Sequence, residues 1–290
     1  MKKLRRTMMF VPGNNPGMIQ NAGIYGADAI IFCLEDAVSI TEKDAARRLV
    51  FNALKTVSYP CETAVRINHI STPFGYDDLD AILPAKPGII RLPKAETAEE
   101  MLEIASIIEK AEIQYGFPVG SIKMMAAIET AKGLFNAAAI AASHPRMTAI
   151  AIGGEDFVAD LKTTRSLDGK ELFVPRSQIV LAARAAGIDA VDSVFADVND
   201  DEGFMAETTM IKQLGFDGKS VVNPRQIRMV HKIFAPTAKE VDYAKRVLAA
   251  YEEALARKSG VIALNGKMID GPIVARAERV LAYNAAVGGH

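Results

Sequence analysis

The stretch IKMMAAIETAKGLFNAAAIAASHPRMTAIAIGGEDF, residues 122–157, decides the fold. It contains an apolar run that ends at Glu129, an amphipathic segment, and a second apolar run that ends at Glu155 and Asp156. Continuous apolar runs of this length are typical of parallel strands buried on both faces, and a helical segment between them predicts a β–α–β unit. The stretch also raises a question of function, because both predicted strands end on carboxylates.

The same alternation continues in both directions along the chain. Predicted strands lie at residues 6–12, 28–36, 62–68, 88–94, 122–130, 147–157, 189–195 and 218–224. Each is followed by an amphipathic segment or a short loop and helix, so the sequence predicts an α/β fold, a (β/α)8 TIM barrel. Thr97 and Glu100 have the spacing of a capping box, and Thr41 is a candidate cap of an earlier helix. The rival fold, a doubly wound open sheet, has no GxGxxG motif after the first strand to support it.

The chain continues beyond what a barrel needs. We predict a catalytic barrel over residues 1–236 and an extension over residues 237–290. The extension contains an amphipathic helix at 238–258, a turn at 265–267 and a last helix. Such an appendage predicts a lid, an oligomerisation arm, or both.

Composition excludes several classes of function. The chain has 290 residues, 50% hydrophobic, a formal net charge of -1 and two cysteines. A net charge so close to zero creates no overall electrostatic field that would attract the protein to nucleic acid or membranes. Two cysteines form no disulfide framework. The basic start MKKLRR precedes an apolar stretch too short for a signal peptide, and no apolar run approaches a membrane span. The sequence therefore predicts a cytoplasmic protein.

Polar residues stand at the ends of the predicted strands, where a TIM barrel carries its active site. In chain order they are Asn14, Glu35, Asp36, Arg66, Asn68, Lys94, Glu129, Glu155, Asp156, Asp192 and Asn223.

Glu129 and Asp156 belong to neighbouring predicted strands, about 4.8 Å apart, so their carboxylates can reach a common point. Two close anions repel unless one is protonated or a cation bridges them. An all-oxygen pair suits Mg²⁺, with Mn²⁺ as the alternative. Gly153 and Gly154 would let the backbone approach a ligand closely. The other interpretation is that these are solvated acids that cap the following helices.

Arg66 lies inside a predicted barrel strand, where a guanidinium requires an anionic partner. Its fork matches a carboxylate, which predicts a clamp on a carboxylated substrate. An ion pair with Glu35 or Asp36 is the structural alternative, and both can hold at once.

At this point the motifs resemble a known family. The blocks RRTMMFVPGNNPGM, ADAIIFCLEDAV, VRIN, RLPKAET, AAIETAKGL, AIGGEDFVADL, KSVVNPRQI and LNGKMIDGPI are similar, in order, to the citrate lyase β-subunit family of citryl-thioester lyases. That family belongs to the wider group of malyl-CoA lyase-like and 2-oxo-acid aldolase-like barrels. Asn223 stands where the wider group usually has a histidine, which favours the citrate lyase branch.

The resemblance implies a Mg²⁺-dependent TIM barrel that assembles as a homotrimer or a multiple of it. It implies cleavage of a citryl thioester into an acetyl thioester and oxaloacetate. It also implies two partners in a citrate lyase complex: an acyl carrier protein subunit and an acyl-transferase subunit.

The resemblance assigns roles to the charged residues of the predicted mouth. It implies that Glu129 and Asp156 are the metal ligands and that Arg66 contacts the oxaloacetate portion of the substrate. Glu35 and Asp36 would form the supporting shell that holds metal-bound waters and Arg66.

Further residues follow from the same resemblance. Asn14, in the VPGNNP loop, would lie along the pantetheine arm, and Lys94, Gly154 and Asn223 are further candidates for substrate binding. Asp270 would belong to a lid over a neighbouring subunit's site and would give a proton to the enolate.

Two alternatives remain open. The first is a related lyase or aldolase acting on malyl-CoA-type or other thioesters derived from 2-oxo acids. The second is a scaffold subunit that binds an acyl carrier without turnover.

Overall fold

The protein is described from a computed structural model that covers residues 3–166, 168–256, 263–264 and 267–288. Eight parallel strands pair in sequence order, and the last pairs with the first, so the sheet closes into a barrel. The strands are β1 (Thr7–Pro12), β2 (Ala29–Cys33), β3 (Glu62–Arg66), β4 (Ile89–Leu92), β5 (Lys123–Ile128), β6 (Met147–Ile152), β7 (Asp189–Asp192) and β8 (Gly218–Val221). The predicted (β/α)8 barrel is confirmed.

Helices follow the strands along the chain. They are α1 (Pro16–Asn21), α2 (Lys43–Thr56), α3 (Gly75–Ile82), α4 (Ala98–Gln114), α5 (Ala131–Phe135), α6 (Ala137–Ala141), α7 (Gly154–Asp160), α8 (Lys170–Ala186), α9 (Asp201–Leu214), α10 (Pro224–Phe234), α11 (Ala238–Ala256) and α12 (Gly271–Ala286). Short 3₁₀ turns occupy Ala22–Tyr25, Ile40–Glu42 and Leu83–Ala85.

The barrel interior is an apolar core of alternate strand residues. Its buried members are Met8, Ala29, Ile31, Ala64, Ile89, Met125, Ala149, Ala151 and Val191. Because side chains alternate between the two faces of a strand, a residue two positions after a core residue faces the interior again. Arg66 follows Ala64 in this way, and Arg91 follows Ile89. Two arginines therefore enter the upper layer of the interior.

One of the two predicted helix caps is present. The Thr97 hydroxyl accepts from the backbone N–H of Glu100, whose carboxylate accepts in return from the N–H of Thr97, which completes the capping box. The prediction of Thr41 as a cap is wrong. Thr41 lies within the 3₁₀ turn, and α2 begins only at Lys43 without a side-chain cap.

The segment after β6 differs from its prediction as a strand. β6 ends at Ile152, and Gly154–Asp160 form α7, so Asp156 lies in the first turn of a helix. Acidic residues are favoured in this turn because they face the positive end of the helix dipole. The helix predicted after β5 is divided at Asn136, whose side-chain amide donates to the backbone oxygen of Glu96.

The chain divides into two compact units, one ending at Ile233 and the other beginning at Phe234. In the second unit α11 packs against α12, and a two-stranded antiparallel pair joins β9 (Ala263–Leu264) to β10 (Lys267–Met268). The tip of the predicted turn, with Gly266, lies outside the described residues. The role of this unit as a lid or arm stays a prediction. Within the described residues, none of the helices has the length and apolar character to cross a membrane.

Candidate active site

Arg66, the last residue of β3, stands at the centre of a group of interactions at the carboxyl ends of the strands. Its Nε and Nη2 donate to Sγ of Cys33 at 3.3 and 3.0 Å, and its Nη1 lies 3.1 Å from a carboxylate oxygen of Glu35. The guanidinium also lies over the Phe10 ring, 4.8 Å from its centroid. Burial opposes its charge, but Cys33 and Glu35 raise the pKa of Arg66 above its ordinary value. The ion pair foreseen as the structural alternative is thus present.

Lys94 joins the carboxylates of the mouth. Its ammonium lies 2.8 Å from Glu35, 3.7 Å from Asp36 and 3.6 Å from Asp156. The Lys94 backbone has φ 48°, a left-handed conformation that non-glycine residues rarely adopt. Such strain is typical of positions where the surrounding structure fixes a functional side chain.

The two acidic residues after β2 respond differently to this environment. Burial alone would raise the pKa of Glu35, but the charges of Arg66 and Lys94 lower it below its ordinary value. Burial, together with the neighbouring Glu35, raises the pKa of Asp36. Glu35 is therefore a fixed anion between two cations, whereas Asp36 is the more easily protonated of the pair.

Glu129 follows β5 directly and is the most perturbed carboxyl of the mouth. Its side chain is 2% exposed, and its Oε2 is buried without a hydrogen-bond partner among the described residues. Burial first, and then the charge of Asp156, raise the pKa of Glu129 to about 8. A buried acceptor with no donor is rare in folded proteins and calls for a ligand, an ion or a water.

The two glycines after β6 make room for side chains. A Cβ on Gly153 would lie 2.5 Å from Cγ of Glu129, so this glycine leaves the space that the Glu129 carboxyl occupies. A Cβ on Gly154 would lie 2.7 Å from Nη1 of Arg165 and 2.8 Å from Oγ of Ser193, which accepts from the Gly154 N–H. The space that these glycines leave is occupied by neighbouring side chains. The sequence had instead predicted a close approach of the backbone to a ligand.

These groups fit a divalent cation held by two carboxylates. Glu129 offers a buried oxygen without a partner among the described residues. The charge of Asp156 raises the pKa of Glu129 because the two anions repel, and a cation between them would relieve this repulsion. Among the described residues, no three or more histidine, cysteine or acidic side chains are placed so that they could hold a metal ion together. Mg²⁺ commonly binds one or two carboxylates and completes its shell with water and substrate oxygens, so a two-carboxylate seat suits it.

Two of the predicted substrate-binding residues have other partners. The Asn14 side chain donates to Glu42 at 2.7 Å. The Asn223 side chain accepts from the backbone N–H of Arg225 at the start of α10. Their role in binding substrate stays a prediction.

The side chain of Asp192 does not face the mouth of the barrel, although its position at the end of a predicted strand suggested that it would. Val191 belongs to the barrel interior, so Asp192 points to the opposite face. There it is fully buried and pairs with Arg176 at 2.8 Å and with Lys219 at 2.7 Å. Glu207 adds ion pairs to Arg176 and Lys219, so each charge of this network meets an opposite one, and the network holds the helix layer to the sheet.

Asp270 lies in the second compact unit. It is the N-cap of α12, and its carboxylate accepts from the backbone N–H of Ile273 at 3.3 Å. Its side chain is exposed. Its predicted role as a proton donor over a neighbouring site therefore stays a prediction.

Arg91 is the residue that sequence reasoning missed. It faces the interior from β4, is 2% exposed, and lies over the Phe10 ring at 5.1 Å. The signal was available: Arg91 interrupts an apolar strand in the same way as Arg66, its direct neighbour in the sheet.

A closed parallel barrel that gathers an arginine, a lysine and several carboxylates at one mouth is the arrangement of an α/β-barrel enzyme, whose chemistry takes place at the carboxyl ends of its strands. More narrowly, the chain belongs to the HpcH/HpaI aldolase/citrate lyase family, whose model matches residues 6–224. It is therefore an enzyme of a lyase family.

Three known proteins illustrate this kinship. The citrate lyase subunit beta of Leuconostoc mesenteroides subsp. cremoris is 56% identical over 97% of this chain and 93% of that protein. The citrate lyase subunit beta of Haemophilus influenzae is 49% identical over 96% of both. The crystal structure of CitE from Mycobacterium tuberculosis, in complex with magnesium, acetoacetate and coenzyme A, matches with a TM-score of 0.80 and 32% identity over 98% of this chain and 100% of that one.

Proposed function

We propose that this chain is the β subunit of a citrate lyase and cleaves a citryl thioester into an acetyl thioester and oxaloacetate. The observation that carries the proposal is the mouth of the barrel, where Arg66 and the buried carboxyl of Glu129 face the same interior. The high identity to citrate lyase β subunits over nearly the full length supports the choice of substrate.

The cofactor that fits this mouth is Mg²⁺, held by Glu129 and Asp156, and the magnesium in the related CitE structure supports this assignment. When bound, it supplies a Lewis acid that lowers the pKa of the substrate hydroxyl and binds the oxygens of the 2-oxo acid.

The reaction breaks the bond between the hydroxyl-bearing carbon and the methylene of the acetyl arm. The hydroxyl gives its proton to a base, its carbon becomes the oxo carbon of oxaloacetate, and the electron pair of the broken carbon–carbon bond moves onto the thioester as an enolate. The proton that the enolate later takes up at carbon balances the one released here. Arg66 holds positive charge beside the oxygen that changes from alkoxide to carbonyl, where preorganised charge is most effective. Glu35, bound to both Arg66 and Lys94, fixes the direction of that charge.

The enolate then requires a proton at carbon to become the acetyl thioester. Asp270 is our candidate donor, acting from a lid over the site of a neighbouring subunit. This places the proton transfer in an oligomer, a trimer or a multiple of it. We further propose that the thioester is carried by an acyl carrier protein subunit and renewed by an acyl-transferase subunit, in keeping with the subunit names of the relatives.

A direct assay tests the proposal. Purified chain is mixed with citryl-CoA, and oxaloacetate is followed by its reduction with malate dehydrogenase and NADH. We expect cleavage that stops in excess chelator and returns with Mg²⁺. Malyl-CoA is the comparison substrate, and a higher kcat/KM for malyl-CoA would favour the related thioester lyases instead. No turnover of either thioester, in CoA or carrier form, would leave a scaffold subunit.

A further inference from the structure

Arg91 is the exception among the buried arginines of the described chain. Each of the others contacts a carboxylate: Arg5 with Glu62 and Asp189, Arg47 with Asp78, Arg146 with Glu112, and Arg176 with Asp192. Arg91 makes no ion pair with any described residue, and its Nε and Nη1 are buried without hydrogen-bond partners. Removing a cation from water without an anion is costly, so a fold that pairs its other buried arginines leaves this one unpaired for a reason.

The surroundings of Arg91 increase the need for an anion. Arg66 is its direct neighbour in the sheet, and both guanidiniums lie over the one Phe10 ring, at 4.8 and 5.1 Å. Burial, and then the charge of Arg66, lower the pKa of Arg91 to about 10, so it stays protonated at neutral pH. Of the two buried carboxyls that attract it, Glu129 has the larger effect and would be bound by the cation, and Glu35 is already paired with Arg66 and Lys94.

The substrate of the proposed reaction carries the missing anion. The citryl group has two free carboxylates, one on the hydroxyl-bearing carbon and one on a methylene arm, and oxaloacetate keeps both. Arg66 can donate a bidentate pair of hydrogen bonds to only one of the two carboxylates while it remains bound to Cys33 and Glu35. The second carboxylate therefore needs a second cation in the same interior layer.

We propose that Arg91 binds the methylene-arm carboxylate and so sets the preference of this enzyme for a dicarboxylic 2-oxo acid over a monocarboxylic one. This inference rests on the proposed citryl-thioester cleavage and adds to it a residue that determines specificity. Arg66 serves the carboxylate that all 2-oxo acids share, and Arg91 serves the one that distinguishes oxaloacetate from pyruvate.

The test compares two substrates that differ only at this carboxylate. One is citryl-CoA, and the other is the thioester in which CH₃ replaces CH₂COO⁻, so that cleavage gives pyruvate. In Arg91→Met we expect kcat/KM for citryl-CoA to fall about 10²-fold, the scale of a lost hydrogen-bonded charge pair. The methyl analogue should keep its rate within about threefold, because removing the arginine does not touch the reacting atoms. Arg66→Lys is the contrast, because it should slow both substrates.

Binding and stability give readouts that do not need turnover. By calorimetry with Mg²⁺ present, Arg91→Met should weaken oxaloacetate binding about 10²-fold and leave pyruvate binding unchanged. Its melting temperature should stay the same or rise, because an unpaired buried charge is removed. The matched control is Arg146→Met, which leaves the buried Glu112 unpaired and should lower the melting temperature without changing selectivity.

Equal losses for both substrates and both oxo acids in Arg91→Met would overturn the proposal, as would an unchanged citryl rate. If Arg91→Met does not fold, Arg91→Lys, which keeps the charge but not the fork, carries the same comparison. The outcomes also separate this inference from the proposed function. Wild-type protein that binds oxaloacetate through Arg91 but cleaves no citryl thioester would contradict only the function.

Discussion

The buried carboxyl of Glu129 makes the stability of the metal-free protein depend on pH, and Glu129→Gln is the change that exposes this. The side chain is 2% exposed and its Oε2 has no partner among the described residues. Glutamine has the same shape as a protonated glutamate but never carries a charge. The two proteins should therefore behave alike where Glu129 is protonated and differ where it is not.

The direction and size follow from the pKa values. The pKa of Glu129 is about 8 in the folded protein against an ordinary value of 4.5. The folded state thus binds the proton more tightly, so the contribution of Glu129 to stability is greatest below pH 4.5 and falls as the pH rises to about 8. Each pH unit in this window lowers the free energy of unfolding by up to about 1.4 kcal/mol, which gives at most about 5 kcal/mol in total.

The measurement is chemical denaturation in chelator at several pH values across this window. We compare the free energies of unfolding of wild type and Glu129→Gln, and the titrations that the two proteins share cancel in this difference. The difference should grow as the pH rises, and it should shrink when Mg²⁺ offsets the buried charge. Glu155→Gln removes an exposed carboxylate two residues after Gly153 and should follow the wild-type profile. Parallel profiles for wild type and Glu129→Gln would refute the reasoning.

Three further predictions concern the mouth and the second unit. Arg66→Lys keeps the charge but loses the fork, so citryl-CoA turnover should fall about 10²-fold with the fold intact; unchanged turnover would assign Arg66 to structure alone. Gly153→Ala places a Cβ against Glu129 and should weaken Mg²⁺ binding about 10-fold or more by calorimetry, whereas Gly17→Ala, which has room, should not. Asp270→Asn keeps its helix cap and should retain metal and oxaloacetate binding yet lose most turnover. Mixed oligomers of Asp270→Asn and Glu129→Ala chains should regain activity if the site is shared, and a lack of rescue after confirmed subunit exchange would exclude sharing.

The barrel was predictable because its pattern is regular. Eight apolar runs with helical segments between them leave few alternatives, and the capping box before α4 fixes one helix start by its local chemistry. The carboxyl ends of the strands then locate the mouth without any side-chain geometry. Glu35, Arg66, Lys94 and Asp156 do interact there, as their strand ends suggested.

What the sequence could not reveal is the direction of each side chain. Asp192 ends a strand just as Arg66 does, but it points to the helix layer, because a shift of one residue exchanges the two faces of a strand. Asp156 reaches the mouth from the first turn of a helix, because β6 ends at Ile152 and α7 begins at Gly154. The first outcome depends on register and the second on where the strand ends, and periodicity alone determines neither.

The distribution of charge explains how the fold tolerates such a mouth. Away from it, buried charges are paired: Glu112 with Arg146, and Asp192 with both Arg176 and Lys219. In these networks each charge meets an opposite one, whereas Glu129 and Arg91, at one end of one interior, have buried polar atoms without partners and make no ion pair with any described residue. A protein selected only for stability would replace them with apolar residues, since unpaired buried charge is destabilising. Their retention in one layer, one aimed at a cation and the other at an anion, is what a site for a metal-bound carboxylate substrate requires.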